Sequence, residues 1–339
     1  MKTARPAAKA EIHTRRLEPA DLVAVVVIDR AHAGHTRGAY FLRRLEAAQR
    51  DPALHAQFGV LENGKLRGFL LARVMEGEFG RAEPALRLES LGVAPALLGR
   101  GLGAQLGKAL EDEARRRGVK ELRTAASWRQ HAMLRFLDRG GWSLGHAQVV
   151  DCSLGDAVLG SPREAPVVPP RFSPGDANDY SVPPADDFGA LARDVTEVGV
   201  LKEGDLEGIV RIDRRLTGRD RSTFLRHALS EALVDSAVRV SLAARADGNL
   251  AGFLMARVDL GDFGRTEPVA VIDTVGVDPL RARQGFGRAL LSQLFANLGA
   301  LGVERVETLV MSGDFGLARF FHLAGLRPAE RFAFVKRLG

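Results

Sequence analysis

The chain has 339 residues, 46% hydrophobic and 27% charged, with a formal net charge of +6. That length fits two domains of ordinary globular composition. A single cysteine, Cys152, excludes an internal disulfide and any multi-cysteine metal site; no metal is expected.

The first eleven residues are basic and lack the apolar block of a secretory signal, which reads as a tail on a cytoplasmic protein. A strand is predicted at 12–17, a helix from Pro19 to about His32, and a second helix over 38–50. Two alternating runs, 58–62 and 65–76, flank Asn63-Gly64, a strong hairpin signal. A further connection at 77–84 leads to a strand at 85–93. Three glycines, Gly99, Gly101 and Gly103, follow it. A helix then runs from Gly101 to about Arg117, with Leu102, Leu106 and Leu110 on one face, and Gly118 ends it. A strand at 121–126, a helix at 130–139 and closing strand material at 143–151 complete the unit.

The unit then recurs. Residues 68–95 and 252–279 share 15 identities in 28 pairs, at a constant offset of 184. Ile28-Asp29-Arg30 matches Ile212-Asp213-Arg214, Arg37 matches Arg221, and Val149-Val150-Asp151 aligns with Ala333-Phe334-Val335. The expected layout is a tail at 1–11, one domain at 12–155, a linker at 156–194 and a second domain at 195–339. The linker holds seven of the fifteen prolines. The fold class is α/β: each copy is an α+β unit with a mixed sheet. Its three-strand meander precedes a parallel strand–helix–strand crossover.

Glycines where a strand hands over to a helix suit an anion cradle, because unpaired N–H groups and the helix dipole favour phosphate. Tight strand–helix packing is the other reading of the same glycines. Arginines are spread along the chain and aromatics are few, which argues against nucleic acid as the main partner. No apolar run is long enough to cross a membrane.

The order of elements, with V-x-P and G-x-G where the last meander strand meets its helix, resembles the GNAT superfamily of acyl-CoA-dependent N-acyltransferases, once per copy. The resemblance implies a splayed sheet with acetyl-CoA, the expected cofactor, in its cleft. Main chain of Leu91, Gly92 and Val93, and of Val275, Gly276 and Val277, would pair with the thioester and pantetheine. The loops of Gly99, Arg100, Gly101, Leu102 and Gly103, and of Arg283, Gln284, Gly285, Phe286 and Gly287, would hold the diphosphate. The acceptor would be an amine of a small molecule or peptide. An acyl-CoA-binding protein without turnover is the alternative, and a homodimer is left open.

Departures from the family pattern are visible. Leu98 and Ala282 stand where it has Gln or Arg, so Arg100, Arg281 and Arg283 are expected to supply charge instead. Leu137 and Phe321 stand at the position of its catalytic Tyr, and His131 and His322 are the histidines near that helix. Glu89 and Asp273, the acids of the two strands, are candidate general bases or members of structural ion pairs. Strand alternation places Glu89 on the face of Leu91 and Val93. Arg37, Arg221, Arg81, Arg265, Glu83 and Glu267 recur near the expected acceptor site, either to hold the acceptor or to brace one another.

Overall fold

The computed structural model describes residues 11–75, 83–156, 196–234, 239–260 and 268–339. The first half runs β1 (Ile12–Arg16), α1 (Leu22–Ala33), α2 (Gly38–Arg50), β2 (His55–Glu62), β3 (Lys65–Met75), β4 (Ala85–Val93), α3 (Leu102–Arg116), β5 (Glu121–Ser127), α4 (His131–Arg139) and β6 (Ser143–Ser153). The second runs β7 (Glu197–Val200), α5 (Leu206–Thr217), α6 (Ser222–Val234), β8 (Arg239–Ala246), β9 (Asn249–Leu260), β10 (Pro268–Val277), α7 (Phe286–Ala300), β11 (Arg305–Met311), α8 (Phe315–Leu323) and β12 (Arg327–Arg337). The predicted order of elements is the observed one. The two hairpins turn as expected, with Asn63 and Asp247 at φ 51° and glycines after them at φ 75° and 73°. The connection at 77–84 and the linker lie almost wholly outside the described residues.

Each half covers both faces of its sheet. Leu102, Leu106 and Leu110 of α3 pack on Leu70, Leu86, Leu88 and Val93 at the front. Val25 and Ile28 of α1, with Tyr40 and Phe41 of α2, pack on Phe69 and Leu71 at the back. Alternation along β3 sends Leu70 forward and Phe69 and Leu71 backward. The second half repeats this, with α7 in front and α5 and α6 behind.

All twelve strands form one sheet, in the order β1-β2-β3-β4-β5-β12-β6-β11-β10-β9-β8-β7. The halves exchange their last strands. β12 runs antiparallel to β5 from Arg331–Ser127 to Arg337–Glu121. β6 runs antiparallel to β11 from Arg305–Ser153 to Met311–Ala147. Cys152 of the first copy is buried in the second core, and Leu338 packs on the first. Lys336 reaches Glu111 at 2.6 Å, and Arg305 reaches Asp151 at 3.0 Å. Each half therefore completes the other, and pulling them apart would open β5 and β11 as edges.

Candidate active site

In each half the parallel pair of strands meets only near its start among the described residues. β4 and β5 pair at Leu86–Leu122 and Arg87–Arg123, and β10 and β11 at Val269–Arg305 through Val271–Glu307. Beyond those pairs the strands diverge into a V. A threonine closes each crotch. Thr124 Oγ1 donates to Leu88 C=O at 2.9 Å, and Thr308 Oγ1 to Ile272 C=O at 3.0 Å. These hydroxyls stand in for ladder bonds the splay has removed. They are related by the offset of 184, a signal the sequence held without making it legible.

Main chain on the open side of β4 faces this V. The Ala94 N–H donates to Arg67 C=O across the β3 pairing, and Gly92 lies opposite Phe69. Peptide groups alternate in direction along a strand, so those of Leu91 and Val93 point away from β3, into the cleft. The Asp278 N–H bonded to Ala251 C=O orients Val275 and Val277 likewise. Gly92 has a different role: a Cβ there would meet Phe69 Cε1 at 2.6 Å, and at Gly276 Phe253 Cε1 at 2.8 Å.

The glycine loops divide their work. Gly99 (φ 80°) and Gly101 (φ 83°) are left-handed, and Gly101 is the N-cap of α3 with no side-chain cap. A Cβ at either would meet nothing within 4 Å, so close packing is not why they are glycine. In the second half Arg283 (φ 63°) and Gly285 (φ 90°) take the same two positions ahead of α7. An arginine held left-handed at the place of Gly99 shows that this loop shape is kept against a steric penalty of about 1–2 kcal/mol. Gly103 and Gly287 are the packing glycines, with a Cβ 3.6 Å from Phe136 and 3.0 Å from Phe320. Leu102 and Phe286, between them, are buried. Gln284 is exposed in its loop.

Arg100 lies against Glu62 at 3.1 Å and Arg281 against Asp247 at 3.5 Å, so two of the three arginines expected to meet phosphate already have acidic partners. Arg283 is exposed.

Glu89 does not share a face with Leu91 and Val93. A β-bulge intervenes: Leu71 pairs with Ser90 and Ala72 with Leu88, leaving Glu89 as the extra residue. The bulge resets alternation and turns Glu89 to the back, where Arg44 of α2 ion-pairs with it. Asp273 occupies the same bulge in β10 and pairs with Arg257 of β9. Both carboxylates are buried, at 4% and 5% exposure. Arg37 and Arg221 likewise clamp Asp29 and Asp213 of the preceding helix, with Nε at 2.9 and 3.0 Å from the carboxylate. They brace α1 and α5. Arg81, Arg265 and Glu267 lie outside the described residues.

Leu137 and Phe321 are fully buried, so no hydroxyl reaches the cleft from those positions. His131 is exposed, and His322 takes its contact from Arg327. Arg44, Arg73 and His32 were not singled out from sequence. Arg73 of β3 crosses to Glu231 on α6, joining the back faces of the two halves. It flanks a cleft also lined by Phe224, His227, Arg257 and Asp273. His55, paired with Arg73 across β2 and β3, is 5% exposed. Burial, with Arg44 and Arg73 nearby, holds its imidazole down at about 3. Folded protein keeps His55 neutral, whereas the unfolded chain protonates it below pH 6.5. Stability therefore falls as pH drops below 6.5. A His55→Gln variant is expected to lose less of its denaturation midpoint than the parent over that range. An equal loss would contradict this.

The profile of the acetyltransferase (GNAT) family matches residues 23–142 and again 207–326. The chain belongs to the GNAT family. It does so as a tandem of two GNAT domains, and the two matches are displaced by the repeat offset. Both stop before the exchanged strands. The fold is that of an acyltransferase, and its similarity to solved GNAT structures spans both halves. A tandem GNAT protein from the clavulanic acid biosynthesis pathway superposes with TM-score 0.63 at 16% identity, over 97% of this chain and 99% of that one. A GCN5-related N-acetyltransferase from Sphaerobacter thermophilus gives 0.57 at 18% identity, over 97% and 96%. A GCN5-related glucosamine N-acetyltransferase region of a fungal multi-domain β-N-acetylglucosaminidase gives 0.63 at 14% identity. There the match takes in 97% of this chain but 38% of the other. Comparison with the curated proteins gives no match. Among the described residues no helix is long and apolar enough to cross a membrane.

Proposed function

We propose that the protein is an acetyl-CoA-dependent N-acetyltransferase acting on an amine of a small molecule or a peptide. One observation carries this reading. Each half keeps two successive left-handed positions, Gly99 and Gly101 or Arg283 and Gly285, at the uncapped start of a helix beside an open strand edge. Amides converging there suit a diphosphate, and the peptides of Leu91 and Val93, or Val275 and Val277, turned away from β3 and β9, suit an extended amide-containing arm. Acetyl-CoA supplies an acyl thioester open to direct attack by an amine. The protein's part is to hold it in the V and to bring the amine from the back face.

Glu89 and Asp273 in this reading are the anions of buried ion pairs that fix the bulges. A carboxylate already bonded to a guanidinium has fewer lone pairs left for a substrate proton. That same fact favours the second reading, binding without turnover, as does the loss of the tyrosine at Leu137 and Phe321. Incubation with acetyl-CoA and a panel of a polyamine, an amino sugar and a short peptide, with free thiol followed, separates them. Amine-dependent thiol release is expected. Saturable acetyl-CoA binding with no release would replace transfer by binding.

A further inference from the structure

The Val93 carbonyl, which faces the cleft, is not bare. His32, in the last turn of α1, places Nε2 2.6 Å from Val93 O. A carbonyl only accepts, so Nε2 carries the proton, and a neutral ring then holds its lone pair on Nδ1. His32 is exposed, so a ligand entering the V from the back can reach it. The second half differs here. The residue at the matching position is Leu216, half exposed at 47%, which can neither give nor take a proton. The carboxylates and the tyrosine position expected near the chemistry are accounted for: Glu89 and Asp273 are ion-paired, and Leu137 and Phe321 replace the tyrosine.

We propose that His32 is the general base of the first half, and that the first half is the one that catalyses. This rests on the reading of the V as the acetyl-CoA site. The acceptor amine is held with its nitrogen between Nδ1 of His32 and the thioester carbonyl carbon. As the new N–C bond forms, one amine proton passes to Nδ1, and the C–S bond breaks with its electron pair left on sulfur. The products are the amide, the thiolate of CoA and an imidazolium, which returns its proton to the thiolate or to water. The hydrogen bond from Nε2 to Val93 O holds the ring in one orientation and one tautomer throughout.

The test compares the parent with His32→Gln, His32→Ala and Leu216→Ala. Thiol release is measured with the fastest amine of the panel, or with water alone if no amine is taken. Glutamine keeps a donor for Val93 O but has no basic nitrogen. Its kcat should fall roughly 100-fold, with acetyl-CoA affinity and the thermal midpoint unchanged. Added imidazole should restore part of the rate of His32→Ala, and Leu216→Ala should leave turnover as in the parent. A His32→Gln enzyme as fast as the parent overturns the assignment. So does joint loss of rate and acetyl-CoA binding, failure of imidazole to restore any rate, loss of turnover in Leu216→Ala, or a parent that binds acetyl-CoA yet neither transfers nor hydrolyses it. A parent that does not bind acetyl-CoA sinks the reading of the V itself, and the role of His32 with it.

Discussion

Replacing Glu89 by glutamine is expected to lower stability by about 3–5 kcal/mol, one of the largest single effects in the molecule. Arg44 is left with a buried guanidinium and no counter-ion, close to Arg73 and to the neutral ring of His55. The penalty comes from the stranded charge more than from the lost attraction. Removing both partners together, Glu89→Leu with Arg44→Met, should therefore recover most of the loss. Asp273→Asn should behave like Glu89→Gln, since Arg257 is buried beside it. Denaturant titration checks both. A Glu89→Gln protein with the parent's midpoint and a large drop in kcat would return Glu89 to the role of base.

Valine at position 101 or 285 is expected to abolish acetyl-CoA binding in the half that carries it. Both positions are left-handed, at φ 83° and 90°, where a β-branched residue is strongly disfavoured. The loop must shift, and the amides at the start of α3 or α7 shift with it. Hydrogen bonds to a charged group contribute about 1.5–3 kcal/mol each. Losing two of them weakens binding by roughly two to four orders of magnitude. Gly103→Ala provides the contrast. Its Cβ would sit at ordinary contact distance from Phe136, 3.6 Å, with no left-handed φ to violate, so affinity should hardly change. Calorimetric titration of the three variants distinguishes a cradle from mere packing.

Much of this was legible in the residues. The constant offset of 184 marks two copies, and Asn63-Gly64 and Asp247-Gly248 mark their hairpins. The strand exchange was not legible, for a physical reason. β6 and β12 are copies of each other, so their patterns suit β5 and β11 equally, and the exchange shows only in three dimensions, in the strand registers and in the packing of Cys152 and Leu338 across the joint. The face of Glu89 was misjudged because alternation assumes a regular pleat, and a bulge leaves no mark in hydropathy. Gly99, Gly101 and Gly103 look alike as letters, yet the first two serve backbone shape and the third serves packing. Arg44 escaped notice because its counterpart is Ala228, so the repeat does not flag it. His32 escaped for the same reason, opposite Leu216.

In the function proposed, two backbone cradles each grip the diphosphate of one acetyl-CoA. Titration of the full chain with acetyl-CoA, by calorimetry, tests this most directly. Two molecules should bind per chain, one after Gly101→Val or Gly285→Val alone, and none after both. A folded protein that takes up no acetyl-CoA at millimolar concentration, or a double variant that binds as the parent does, would contradict it.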